Sequence, residues 1–159
     1  ILLGIVCLLL ATGTILRNRE YASRLFIAET IVERWPSGRG RYILGVELLR
    51  VGRRPEAMAE LRASATEYPA ARYALGTELF SEGQLNAAVE ELMAFLEAHP
   101  THANAIPAHD QLGRAYMLLG RPDQAHEEFT IVLAQPDYNL GGEVQSYVDQ
   151  ITASIGRGR

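Results

Sequence analysis

His99, His102 and His109 fall within one short stretch, "HPTHANAIPAHD", with Asp110 beside the last of them. Imidazole nitrogens and a carboxylate are ligand types for zinc, which takes about four ligands held on defined elements. Here all three histidines lie in what reads as a loop between helices, and Asp110 is the one supporting carboxylate. The stretch therefore predicts no metal centre. The only cysteine, Cys7, sits in an apolar run, which excludes a disulfide framework and a multi-cysteine zinc site within the chain. No nucleophile elbow, phosphate loop or His–Glu metal helix occurs. Acids such as Glu90 and Glu91 fall at helix-surface spacing and read as solvation. The expectation is a segment without catalytic residues, metal or cofactor, so the elements themselves must carry the function.

Charge divides the chain. Residues 17–54 hold nine arginines against four glutamates, a net of +5; residues 55–150 hold fifteen acids against four arginines, a net of −11. The acidic majority argues against nucleic acid as a partner. The basic part directly follows "ILLGIVCLLLATGTIL", an uncharged run of residues 1–16, as membrane-proximal segments do. A full span takes about 20 apolar residues. With Ile1 rather than methionine at the start, the sequence predicts a fragment or processed product whose first 17 residues are part of a transmembrane helix. A signal-peptide core lacks its basic leader here and its small-residue cleavage site. A buried soluble helix would show a polar face.

The next elements repeat. "YILGVELLRVGRRPEAMAELRASATEYP", "YALGTELFSEGQLNAAVEELMAFLEAHP" and "DQLGRAYMLLGRPDQAHEEFTIVLAQPD" align on Gly45, Gly76 and Gly113. Seven residues on stands a second glycine (Gly52, Gly83, Gly120), twelve on an alanine (Ala57, Ala88, Ala125) and sixteen on Leu61, Leu92 or Phe129. Pro69, Pro100 and Pro136 close the units. A glycine inside a helix costs about 1 kcal/mol relative to alanine, so the first glycine of each unit predicts close packing against the helix bearing the alanine. The second is placed as a left-handed helix end. Pro55 and Pro122 fall near the start of a helix, where a missing N–H does no harm. The spacing is uneven, 31 residues and then 37 between the aligned glycines. A late start for the helix after Pro69 and an exposed link at "THANAI" are expected.

This pattern resembles the tetratricopeptide repeat, an antiparallel helical hairpin with a small residue in helix A, an alanine in helix B and a closing proline. The resemblance implies an all-α solenoid. Three hairpins (38–69, 70–100 and 105–137, within 38–140) are expected, with a leading helix over 18–37 and a capping helix and tail over 141–159. The leading stretch sets Tyr21, Leu25, Ala28, Val32 and Trp35 on one stripe, with Phe26, Ile27 and Ile31 as a second apolar side. The cap sets Val144, Val148, Ile151 and Ile155 on one face, covering the open end that a repeat array leaves.

Such arrays bind a peptide or partner helix on the concave face of the A helices. The resemblance implies partner-binding positions at Arg39, Tyr42, Val46 and Leu49 in the first unit. It implies Tyr73, Thr77 and Phe80 in the second, and Asp110, Arg114 and Met117 in the third. Tyr42 and Tyr73 share one repeat position and either grip an extended peptide or pack between helices. The carboxylate clamp of chaperone-binding members uses lysine and asparagine, where this chain has Tyr42, Val46, Tyr73 and Thr77; that mode is not expected.

The order over residues 12–45 is an apolar span, "RNREYAS", one helix ending in "WP", then "GRGRYILG" opening the array. It is similar to the C-terminal end of membrane glycosyltransferases of the protein O-mannosyltransferase type. The resemblance implies a non-enzymatic interaction module behind a catalytic domain in a bacterial inner membrane, with the catalytic acids elsewhere. The alternative is a single-span scaffold for an envelope or secretion complex. Arginines after the span indicate the cytoplasm and the glycosyltransferase resemblance the periplasm, to which the reading leans.

Overall fold

The computed structural model describes residues 12, 14, 24–135 and 141–157, and no strand occurs among them. The expected span over 1–17 lies outside the described residues except for Thr12 and Thr14. No helix among the described residues is long and apolar enough to cross a membrane. The helices are α1 (24–34), α2 (Gly38–Arg50), α3 (Arg54–Ser64), α4 (Pro69–Ser81), α5 (Leu85–Ala98), α6 (Ala105–Leu118), α7 (Pro122–Leu133) and α8 (Gly141–Arg157). Contacts divide the chain into two compact units at the Tyr68–Pro69 bond.

The first unit is α1 against the hairpin of α2 and α3. Apolar residues at helical spacing on α1, namely Leu25, Ala28 and Val32, pack on Leu44, Leu48 and Leu49 of α2 and on Ala57 of α3. Trp35 does not join them as the stripe predicted; it is 67% exposed. The cause is Pro36, whose ring disfavours helical geometry in the residue before it, so the helix ends at residue 34 and Trp35 leaves its path. Phe26 and Ile27 are exposed too. The chain restarts at once: the Ser37 hydroxyl accepts the Gly40 N–H at 3.1 Å and caps α2, a contribution of about 1 kcal/mol. At the far end of the hairpin the Ser64 hydroxyl donates to the Gly38 carbonyl at 2.6 Å, and Glu67 accepts the Gly38 N–H at 2.7 Å.

The second unit stacks the hairpins α4–α5 and α6–α7 and closes with α8. Its core runs from Val89, Leu92 and Phe95 through Ala108, Leu112, Ala115 and Tyr116 to Ala125, Phe129 and Val132, ending on Val144 and Ile151 of α8. Val148 packs at the edge of this core. Phe129 and Tyr147 stack with centroids 5.4 Å apart and planes 11° from parallel.

The three hairpins are built alike. Helix A ends at Gly52, Gly83 or Gly120, each with φ between +69° and +80°, where a side chain would be strained. Beyond it the N–H of Arg53, Gln84 or Arg121 returns to the carbonyl of Leu48, Leu79 or Tyr116 at 2.8–2.9 Å, closing the helix end that the glycine pattern predicted. Pro55 and Pro122 stand in the first turn of α3 and α7. The mid-helix glycines do more than admit a neighbouring backbone. A Cβ on Gly45 would stand 2.9 Å from Leu61 Cγ, one on Gly76 2.8 Å from Leu92 Cγ, and one on Gly113 2.6 Å from Phe129 Cδ1. The Ala57 and Ala88 carbonyls would lie only 3.4 and 3.5 Å away. The tightest partner is therefore the large side chain sixteen residues on.

One expectation is corrected. The helix after Pro69 does not start late: Pro69 is itself the first residue of α4, so α4 and α2 both begin seven residues before their glycine. Proline fits there because the first helical N–H has no intrahelical partner. The unequal repeat lengths go elsewhere. Helix α5 has 14 residues against 11 in α3, the link 99–104 is longer than the link 65–68, and α6 has one more residue before Gly113.

Candidate binding surface

Four residues before each mid-helix glycine stands a basic side chain, and fifteen after it a glutamate. The structure joins them. Arg41 Nη1 meets Glu60 Oε2 at 3.0 Å, Arg72 Nη1 meets Glu91 Oε2 at 3.1 Å, and His109 Nδ1 meets Glu128 Oε2 at 2.6 Å. Each pair ties helix A to helix B of its own hairpin and is partly screened from water. Sequence reasoning assigned Glu91 to solvation and His109 to a histidine cluster, and it missed all three pairs. The signal was present in the register, since the pairs recur at fixed offsets from the glycine. The other two histidines go to different partners: His102 Nδ1 accepts the Asn104 N–H at 3.1 Å, and the His99 and His102 rings lie 6.1 and 5.3 Å from Phe95. No group of three or more potential metal ligands gathers among the described residues.

In the first unit Arg39 is exposed on the opening turn of α2, while Tyr42, Val46 and Leu49 are half-buried. The Tyr42 ring lies 5.0 Å from Tyr68, tilted by 42°, and Leu49 leans on the core shared with α1. In the second unit Tyr73 lies 5.7 Å from Phe95, and burial pushes its phenol pKa up. Both tyrosines thus pack on an aromatic residue within their own unit. The Thr77 hydroxyl lies 3.0 Å from the Tyr73 carbonyl oxygen and 3.0 Å from Gln111 Oε1. It links α4 to α6, the A helices of adjacent hairpins.

Phe80, Arg114 and Met117 are brought together. With Leu118 and Tyr147 they line a depression of about 190 Å3 among α4, α6 and α8. Asp110 lies beneath, 4% exposed, and its Oδ1 accepts from Arg114 Nε at 3.0 Å. Glu143 of α8 holds the other end of that guanidinium at 3.1 Å, which sits 5.6 Å above the Tyr147 ring. Burial alone would lower the Arg114 pKa, but the hydrogen bonds and charges around it, Asp110 first, hold it above the ordinary value. Arg114 is thus a fixed wall, while Leu118 on the rim is 67% exposed. Tyr147 and Leu118 were not among the residues inferred from sequence. Tyr147 lies on the cap, off the repeat register, and no spacing pointed to it.

The volume is below the roughly 300–1,000 Å3 of small-molecule sites. It suits one apolar side chain.

The fold is that of tetratricopeptide-repeat proteins. The chain is similar to MamA of AMB-1, with a TM-score of 0.72 and 21% identity over 89% of this chain and 76% of that one. It is also similar to YrrB, described as a TPR protein with an unusual peptide-binding site, with a TM-score of 0.67 and 22% identity over 82% and 69% of the two chains. A Podosopora anserina kinesin light chain with TPR-like repeats gives 0.67 and 17% over 89% and 81%. No protein-family model and no curated protein matches the chain.

Proposed function

We propose that the chain is a protein-interaction module that binds a peptide or partner helix on the face of its A helices, without chemistry of its own. The observation that carries this reading is the depression lined by Phe80, Met117, Leu118 and Tyr147, with the saturated Arg114 as one wall. An apolar anchor residue of the partner enters it, because the site offers apolar surface and a cation whose charge is already matched. YrrB, with the same fold, is described as having a peptide-binding site, which supports the class of partner.

The setting belongs to the same proposal. The uncharged run of residues 1–16 supports a membrane protein, and the order of elements over 12–45 supports the C-terminal region of a membrane glycosyltransferase with the module on the periplasmic side. The competing single-span scaffold has the same run and module, and the sequence upstream of Ile1 separates the two. The binding reading is tested with peptides selected by display on the wild-type chain. Replacing the exposed Leu118 with Asp should weaken their capture by about 2 kcal/mol with helicity unchanged. Equal capture by Leu118→Asp would remove the depression from the binding surface.

A further inference from the structure

Helix α1 buries one side and leaves the other open. Leu25, Ala28 and Val32 face α2, whereas Phe26 is 68% exposed, Ile27 56% and Trp35, just past the helix end, 67%. Three large apolar side chains left exposed within ten residues of one short helix and its end are candidates for an interaction site. Arg24 and Arg34 are exposed among them; at helical spacing Arg34 and Arg24 flank Ile27. Of the acids, Glu29 is drawn away by an ion pair with Arg53 at 3.1 Å, while Glu33 is exposed two turns on from Phe26.

We propose that this face of α1 lies on an anionic lipid surface, with Phe26, Ile27 and Trp35 in the interfacial layer and Arg24 and Arg34 at the headgroups. Three observations select lipid over a protein partner. Tryptophan and exposed aliphatic residues beside arginines have the composition of an interfacial helix. The exposed side of α1 carries Arg24 and Arg34 against Glu33, Glu29 being paired with Arg53, a net positive charge opposite in sign to anionic headgroups. The uncharged run ends at Leu16, eight residues before Arg24, the first described residue of α1, so a chain held there keeps α1 close to the bilayer. The inference rests on the membrane reading above and adds to it where the first soluble helix sits.

Trp35 is the only tryptophan and therefore a built-in probe. The full chain is reconstituted into vesicles of phosphatidylcholine with or without phosphatidylglycerol, floated on a density gradient, and its Trp35 emission measured with brominated lipid as quencher. Flotation in both, with blue-shifted emission and quenching roughly twofold stronger when phosphatidylglycerol is present, is the expected result. Phe26→Ser with Ile27→Ser should remove most of the quenching, and Arg24→Gln with Arg34→Gln should remove its dependence on anionic lipid, neither changing helicity. Flotation with unquenched Trp35 overturns this inference and leaves the membrane reading intact. Failure to float overturns both. Shielding of Trp35 in detergent that grows with protein concentration would assign the face to a second copy and overturn the lipid assignment.

Discussion

Hairpins α4–α5 and α6–α7 solve one packing problem with different side chains. In both, a mid-helix glycine opens a slot, an alanine twelve residues on keeps the second helix close, and a fully buried side chain sixteen residues on fills the slot. In α4–α5 the filler is Leu92, whose branch a Cβ on Gly76 would meet at 2.8 Å; in α6–α7 it is Phe129, whose ring edge a Cβ on Gly113 would press from several carbons. The electrostatic tie differs in parallel: Arg72–Glu91 is charged at any ordinary pH, whereas His109–Glu128 is an ion pair only while the imidazole is protonated. The difference teaches that the repeat specifies a backbone geometry and a slot. What fills the slot is chosen locally.

The largest effect that would sharpen this contrast is removal of the fillers. Phe129→Ala should lower stability by about 3–5 kcal/mol and Leu92→Ala by about 2–5 kcal/mol, with the phenylalanine change the worse because Phe129 also supports Tyr147 of the cap. Denaturant unfolding followed by circular dichroism gives the order, and a smaller loss at Phe129 would break the slot description. Filling the slot from the other side comes next. Gly113→Ala should lose about 3 kcal/mol, since a rigid buried ring must shift, while Gly76→Ala should lose about 1 kcal/mol, because it meets two carbons of the Leu92 branch less closely and the helix gains propensity. Equal midpoints for the two variants would show that ring and branch yield alike. Gly83→Ala should cost about 1–2 kcal/mol, the penalty of a left-handed residue with a side chain, although nothing lies within 4 Å of that position. The smallest effect belongs to His109→Arg, which makes the third tie like the first two. A change under about 1 kcal/mol in urea unfolding near neutral pH is expected for a partly exposed pair, and a larger loss would mean that the third site does not share their geometry.

The backbone of these hairpins was legible in the sequence because glycine, alanine and proline each answer to one local constraint. Gly52, Gly83 and Gly120 had to take positive φ, and they do. Pro55 and Pro122 had to stand in a first turn, and they do. Pro69 misled because proline fits equally well after one helix and at the start of the next, and only tertiary packing decides between them. Trp35 misled because its position on the stripe assumed a helix that Pro36 ends. The surface was less legible. Repeat register brought Phe80, Arg114 and Met117 to one place, but Tyr147 comes from an element outside the register. Tyr42 and Tyr73 show an opposite limit: shared register placed both on A helices, yet Tyr68 and Phe95, which cover them, stand at different offsets in their repeats. The pairs from Arg41, Arg72 and His109 were less legible because the third copy exchanges arginine for histidine.

The turn from helix A to helix B has the same length and the same three-bond closure in every hairpin, whereas the differences in repeat length fall in helix B, in the link after it and in the first turn of the next helix A. Change in such a chain is therefore channelled. A residue inserted at Gly83 would break a left-handed helix end and displace Ala88 from its slot in one stroke. One inserted in 99–104 would leave every hairpin's internal register untouched. The array behaves as a set of indivisible parts with elastic joints, so the joints are the seams at which repeats can be added, removed or exchanged without redesigning the parts.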